Sequence, residues 1–275
     1  MRQRTGALVQ VRLLGPVDVV VNGEVRPVPG LRRKAVMATL ALHCGGIVGT
    51  DRLVDAVWGD DASPKAVPTL QRHLSFLRDF LGDKAAIVAR PPGYMLDLDA
   101  DGTDVRMAER LFQAGSQASC QAGDAARRVL ILRAALALWR GQPLADVGRA
   151  GTGWAGTGWA GPGWLGQQAE RLDLLRLQVK RALCQARLTA GEHGQLIPDL
   201  EQMAAGQPLD EQIQADLMLA LYRSGRQADA LAVYRRLRRT LGEQLGIDPT
   251  RMLRDLETAI LRQDPSLDAP ALAWA

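Results

Sequence analysis

Alternation comes first along this chain, and helical spacing takes over afterwards. Val9, Val11 and Leu13 are separated by Gln10 and Arg12, the period-two pattern of a strand with one buried face. Gly15-Pro16 interrupts the pattern, and Val17, Val19 and Val21 resume it. Asn22-Gly23 follows, a pair suited to a two-residue hairpin turn because both central positions need positive φ. Val25 to Val28 then predicts the returning strand, so the chain opens with a small antiparallel sheet.

Three helical segments come next. Leu31 to His43 sets Val36, Met37 and Leu40 at helical spacing and stops at Gly45-Gly46. Thr50 can cap the second helix and Gly59 can end it, with Leu53, Val54, Val57 and Trp58 as the buried face. The third runs to Leu81-Gly82, and its Leu70, Leu74, Leu77 and Leu81 make one stripe. At about 100° per residue, Arg72 and Phe76 point away from that stripe, flanked by Thr69, Ser75 and Asp79. Proline is tolerated at a helix start but not in its interior, so Pro68 places the start near Val67–Pro68, with Ser63-Pro64-Lys65 as a separate turn. Ile87-Val88-Ala89, an Arg90-Pro91-Pro92-Gly93 tip and Tyr94 to Leu98 read as a second hairpin.

Sheet, three helices, hairpin is the order of a winged helix-turn-helix with an added N-terminal sheet. In that fold the third helix enters the major groove of DNA and the hairpin is the wing. From Thr103 onward nothing reads as strand. Leu183, Ala186, Leu188 and Gly191 stand 34 residues before Leu217, Ala220, Tyr222 and Gly225, and Leu196-Ile197 and Leu200 stand 34 before Ala230-Leu231 and Tyr234. That is the tetratricopeptide period, two antiparallel helices per unit, and such stacks usually bind proteins. The expected fold is therefore mainly α with a small N-terminal antiparallel β part. A winged helix-turn-helix over residues 1–101 would precede a TPR-like helical-repeat domain over 102–275.

Charge sharpens the picture a little. The net charge is +4. Residues 1–100 hold 13 Lys/Arg against 10 Asp/Glu, and the remainder holds 21 against 20, so the excess sits in the first third, where it favours a polyanion partner. No apolar run reaches the roughly 18–20 residues of a membrane span, and the N-terminal segment lacks a signal core, which points to the cytoplasm. Cys44, Cys120 and Cys184 suit neither a disulfide frame nor a zinc site and read as reduced thiols. His43, His73 and His193 have no triad-like or ligand-like setting, so no enzyme, cofactor or metal is expected.

Arg72, Thr69, Ser75 and Phe76 are the candidates for contact from the third helix. Phe76 could meet a thymine methyl or a second protomer. Arg32, Arg33 and Lys34 form a basic run at a helix start, either a solvated face or a phosphate anchor. Lys65 precedes the third helix. Arg78 could reach the DNA backbone or an internal partner, and His73 reads as a core-edge histidine. Arg90, Gly93 and Tyr94 belong to the wing, with Tyr94 able to pack under the third helix instead. Arg235, Arg236, Arg238 and Arg239 read as a solvated face, with contact to DNA or an acidic protein as the alternative. Gly151 to Trp164, GTGWAGTGWAGPGW, is a five-residue repeat read as an expanded loop with Trp164 packed at the next helix start, or as a sticky surface of Trp154 and Trp159.

The segments LRRKAVMATLAL, DRLVDAVWGDD, TLQRHLSFLRDFLG and VARPPGYMLDL resemble the OmpR-type winged helix of the Streptomyces antibiotic regulatory proteins, the SARP family. LRAALALWRGQPLADV, LMLALYRSGRQADALAVYRRLRRTLGEQLGIDP and LRDLETAIL are similar to the bacterial transcriptional activation domain that follows it. Phe76 stands where that family usually carries an arginine. No Gly-x-x-x-x-Gly-Lys-Ser/Thr loop is present, as in the small members. The resemblance implies an activator that binds direct repeats in double-stranded promoter DNA as a side-by-side pair, a homodimer at least on DNA. It implies recruitment of RNA polymerase holoenzyme at an antibiotic or secondary-metabolite gene cluster. The rival expectation is a helical-repeat adaptor whose winged helix does not read DNA sequence.

Overall fold

The computed structural model describes residues 8–59, 62–117, 122–147 and 163–268. Cys120, Trp154, Trp159 and the repeat through residue 162 lie outside the described residues. By contacts, the chain divides into two compact units. One is drawn from Met1–Phe112 and Ala134–Gln178, the other from Gln113–Arg133 and Val179–Ala275.

The first unit begins with β1 (Val9–Arg12), β2 (Asp18–Val21) and β3 (Glu24–Pro27), an antiparallel meander in that order. The register pairs Val9 with Val21 and Val20 with Val25, and Asn22 and Gly23 take φ of 51° and 85° at the turn. Val11 and Val19 are fully buried, as alternation requires. Helices α1 (Leu31–Leu42), α2 (Thr50–Trp58) and α3 (Ala66–Leu81) follow, then the hairpin β5 (Ile87–Arg90) and β6 (Gly93–Leu96). A further strand, β4 (Ile47–Gly49), lies between α1 and α2 and pairs with β6, giving the sheet order β4-β6-β5. Three residues are too few to show a period, so only the pairing defines this strand.

Local details differ from the sequence pattern. Helix α3 starts at Ala66, ahead of Pro68, and Pro68 still falls in the first turn, where a missing N–H has no partner to lose. Thr50 does not cap α2. Gly49 is the cap residue, and Thr50 instead donates both its backbone N–H (3.2 Å) and its hydroxyl (3.1 Å) to the carbonyl of Pro92, tying α2 to the wing. Strand β6 ends at Leu96 rather than Leu98.

A polar network braces the first sheet. The Asp104 carboxylate, 2% exposed, accepts the backbone N–H groups of Leu13 (2.8 and 2.9 Å) and Leu14 (2.9 Å). Asp18 pairs with Arg12 (2.6 Å) and Arg140 (3.0 Å). The segment after residue 134 also bonds the chain just past β1, with the N–H of Arg140 on Leu14 O and that of Leu144 on Leu13 O. The expected packing of Trp164 is present: it stacks on His43 at 5.1 Å beneath the Arg52 guanidinium at 4.9 Å.

Helices α4 (Asp104–Gln117), α5 (Ala122–Leu136) and α6 (Gly163–Thr189) come next in the chain, followed by α7 (His193–Gly206), α8 (Glu211–Arg223), α9 (Gln227–Leu245) and α10 (Arg251–Arg262). In the second unit α8 packs between α7 and α9. The 34-residue register has a backbone meaning: Gly191 and Gly225 take φ of 85° and 76° after equivalent helices, a left-handed conformation that glycine adopts without strain. Ala186, Ala220 and Ala230 are fully buried, small residues where helices approach. Asp210 caps α8 by accepting the N–H groups of Gln212 and Ile213. Cys184 is buried, a free thiol whose pKa burial pushes up to about 11; Cys44 is free and half-buried. Among the described residues no helix is long and apolar enough to cross a membrane, and no cluster of metal-ligating side chains occurs.

Candidate nucleic-acid interface

The leucine stripe fixes how α3 sits. Leu70, Leu74, Leu77 and Leu81 are all fully buried, which turns Arg72 and Ser75 to the exterior and leaves Thr69 and Phe76 at the edge of that face. Arg72 Nη2 donates to Thr69 Oγ1 at 3.0 Å, one turn apart. Phe76 stacks on Phe80 with centroids 5.8 Å apart, and the Arg33 guanidinium carbon lies 3.8 Å from the centre of the Phe76 ring. Arg32 lies 5.7 Å over Trp58, whose ring stacks with His73 at 6.2 Å.

His73 reports the local potential. Its pKa is lowered, first by burial, then by the charges of Arg33, Arg32 and Arg72. Three guanidinium groups from α1 and α3 therefore act on one point, and α3 carries no acidic residue in its first turn. The expected core-edge position of His73 is what the fold builds.

The other candidates are distributed as follows. Lys65 and Arg90 are exposed, at the start of α3 and the end of β5. Lys34 turns inward to an ion pair with Asp146, each side chain about one-fifth exposed, so an internal carboxylate neutralises its charge. Arg78 donates from Nε to the Ile87 carbonyl (2.8 Å) and lies 5.9 Å over Tyr94, joining α3 to the wing; both residues are half-buried. Gly93 is buried in the sheet, where a Cβ would fall 1.8 Å from the Val48 carbonyl oxygen. The structure thus brings Arg32, Arg33, Thr69, Arg72 and Phe76 together and sets Lys34, Arg78, Gly93 and Tyr94 among internal contacts. One exposed residue of α3 escaped sequence reasoning: Gln71 projects between Ser75 and Arg78 around the helix, and its amide suits an adenine edge. The leucine stripe already pointed it outward.

In the second unit, α7, α8 and α9 enclose a groove of about 410 Å³ lined by Ala204, Leu217, Val233 and Leu237, with Glu201, Arg226, Asp229 and Arg236 as charged groups. Arg235, Arg236, Arg238 and Arg239 are exposed along α9, and Arg238 approaches Asp248 at 3.6 Å.

Residues 103–261 match the model of the bacterial transcriptional activator domain. The chain is 35% identical to the regulatory protein DnrI of Streptomyces peucetius over 94% of both chains. It is 36% identical to the regulatory protein AfsR of Streptomyces coelicolor over 99% of this chain but 26% of AfsR. Its fold superposes on the structure of Mycobacterium tuberculosis EmbR in complex with a low affinity phosphopeptide, with a TM-score of 0.83 and 29% identity. That match covers 97% of this chain and 67% of EmbR. With a winged helix ahead of the activator domain and a relative matched along nearly its whole length, the chain belongs to the SARP family of transcriptional regulators.

Proposed function

We propose that this protein is a DNA-binding transcriptional activator of an antibiotic or secondary-metabolite gene cluster, acting in the cytoplasm without catalytic activity or cofactor. Residues 1–101 read direct repeats in promoter DNA, and two copies bind side by side. Residues 102–275 help recruit RNA polymerase holoenzyme, with the groove between α7, α8 and α9 as a surface suited to a protein partner. The observation that supports the reading most is the set of guanidinium groups around α3: Arg33 stacked on Phe76, Arg32 over the Trp58 ring that stacks with His73, and Arg72 exposed on the outward face. Phosphate binding by such a cluster releases counterions and makes affinity fall steeply with salt. Lys65, Thr69, Ser75 and Gln71 extend the same surface, and Arg90 extends it at the wing.

The test is sequencing of genomic fragments captured by the purified protein at near-physiological salt. Enrichment of a few promoters that share a directly repeated motif is expected. Arg72→Ala is expected to lose about 1–3 kcal/mol on such a site with relaxed preference at one base pair, measured by fluorescence anisotropy. No enrichment by folded protein, with a flat salt response, would replace this reading with the adaptor.

A further inference from the structure

We infer that Phe76 is the seat of Arg33, and that Arg33, held on that ring, grips a DNA backbone phosphate at the rim of the groove that α3 enters. The inference rests on the DNA-binding reading above and assigns a positioning role to the aromatic residue of the recognition helix.

Phe76 is itself restrained, stacked on Phe80 one turn later with an interplanar angle of 18°. The Arg33 guanidinium, 3.8 Å from the ring centre, lies over a π-face, where the ring quadrupole attracts a cation. A free arginine side chain samples many rotamers. A stacked one has lost that freedom in advance and keeps its N–H edges available for a bidentate anion. Among the described residues no carboxylate forms an ion pair with Arg33, whereas the adjacent Lys34 is paired with Asp146. The two half-buried neighbours on α1 are thus divided, one charge neutralised by a carboxylate and the other laid on an aromatic ring.

Position selects the ligand. Arg33 lies in the first turn of α1 and packs against the edge of α3 at Phe76, off the face that would enter the groove, where the phosphate backbone borders it. Arg72 is four residues before Phe76 and therefore beside it on α3. Arg72, Phe76 and Arg33 form one strip that runs from the exposed face of α3 to the start of α1. With one ring face under a guanidinium, Phe76 acts through Arg33 rather than on a base.

The experiment uses the full chain and a captured promoter fragment, with affinity measured against salt for Arg33→Ala, Phe76→Leu, Phe76→Tyr and the Arg33→Ala/Phe76→Leu double variant. Arg33→Ala and Phe76→Leu are each expected to weaken binding roughly three- to tenfold at ~150 mM salt and to flatten the slope of log K against log salt by about one, with base preference unchanged. Phe76→Tyr, which keeps the π-face, should stay near wild type, and the double variant should be no weaker than Arg33→Ala. Additive losses would overturn the inference. So would a Phe76→Leu variant that alone becomes indifferent to replacing a site thymine by deoxyuridine, since Phe76 would then read the methyl group. Wild-type binding that Arg33→Ala leaves unchanged overturns this inference alone. Absence of salt-dependent wild-type binding overturns the DNA-binding reading with it.

Discussion

Gly93→Ala is expected to destabilise the first unit by about 3 kcal/mol and to abolish promoter binding with it. The added methyl group would stand 1.8 Å from the carbonyl oxygen of Val48, 2.7 Å from its carbon and 2.8 Å from the Cα of Gly49. These are backbone atoms of β4, so no side chain can swing aside, and β4 must separate from β6. That separation would also pull on the two hydrogen bonds from Thr50 to Pro92, which hold α2 against the wing. Gly49 faces Gly93 in the register and is the control. Its φ is −59° and a Cβ there meets nothing within 4 Å, so Gly49→Ala should cost only what replacing a cap glycine by alanine costs, at most about 1 kcal/mol. Urea unfolding of both variants gives the comparison. Equal stability would mean that the β4–β6 contact yields at little cost.

Asp104→Ala is expected to cost about 2–5 kcal/mol, because it strands the buried N–H groups of Leu13 and Leu14 and leaves Arg140, 3.7 Å away, without that partner. The same side chain gives stability a pH dependence. Burial pushes the Asp104 carboxyl up to about 6, against the pull of the Leu14 and Leu13 N–H groups and of Arg140. The folded state therefore holds a proton that the unfolded chain, titrating near 4, has released. A folded-state pKa above the unfolded one means that this group favours folding below about pH 4 and that its contribution is lost as pH rises to about 6. The span corresponds to about 3 kcal/mol. Asp216, 7% exposed and also raised to about 6 by burial, adds a slope of the same sign in the second unit. Denaturant melts from pH 4 to 7 should show wild-type stability falling with pH. Asp104→Asn should remove most of the fall in the first unit and keep an acceptor for one N–H group. A wild-type profile that rises over this range would show that the hydrogen bonds, not burial, set the charge of Asp104.

Most of what a period or a local conformational demand carries was legible in the residues alone, although Thr50 does not cap α2 and the alternation past Leu96 runs beyond β6. Valine alternation placed β1 and β2, Asn22-Gly23 placed their turn, four leucines placed the buried side of α3 and so exposed Arg72 and Ser75. A 34-residue spacing placed Gly191 and Gly225 in equivalent left-handed turns. Signals of this kind lie within a few residues of where they act, or repeat at a fixed interval. Which partner each polar or small residue meets came from the packing of distant segments. Lys34 and Asp146 are 112 residues apart, and Asp104 lies 91 residues from the Leu13 N–H that it accepts. Arg78 turns to the Ile87 carbonyl, Arg33 finds Phe76, and Gly93 is buried because β4, three residues with no period of their own, passes against it. A charge or a glycine is visible in the sequence, but whether it faces solvent, a carboxylate or a backbone is fixed by chain segments folded in from elsewhere, and that packing has no local signature.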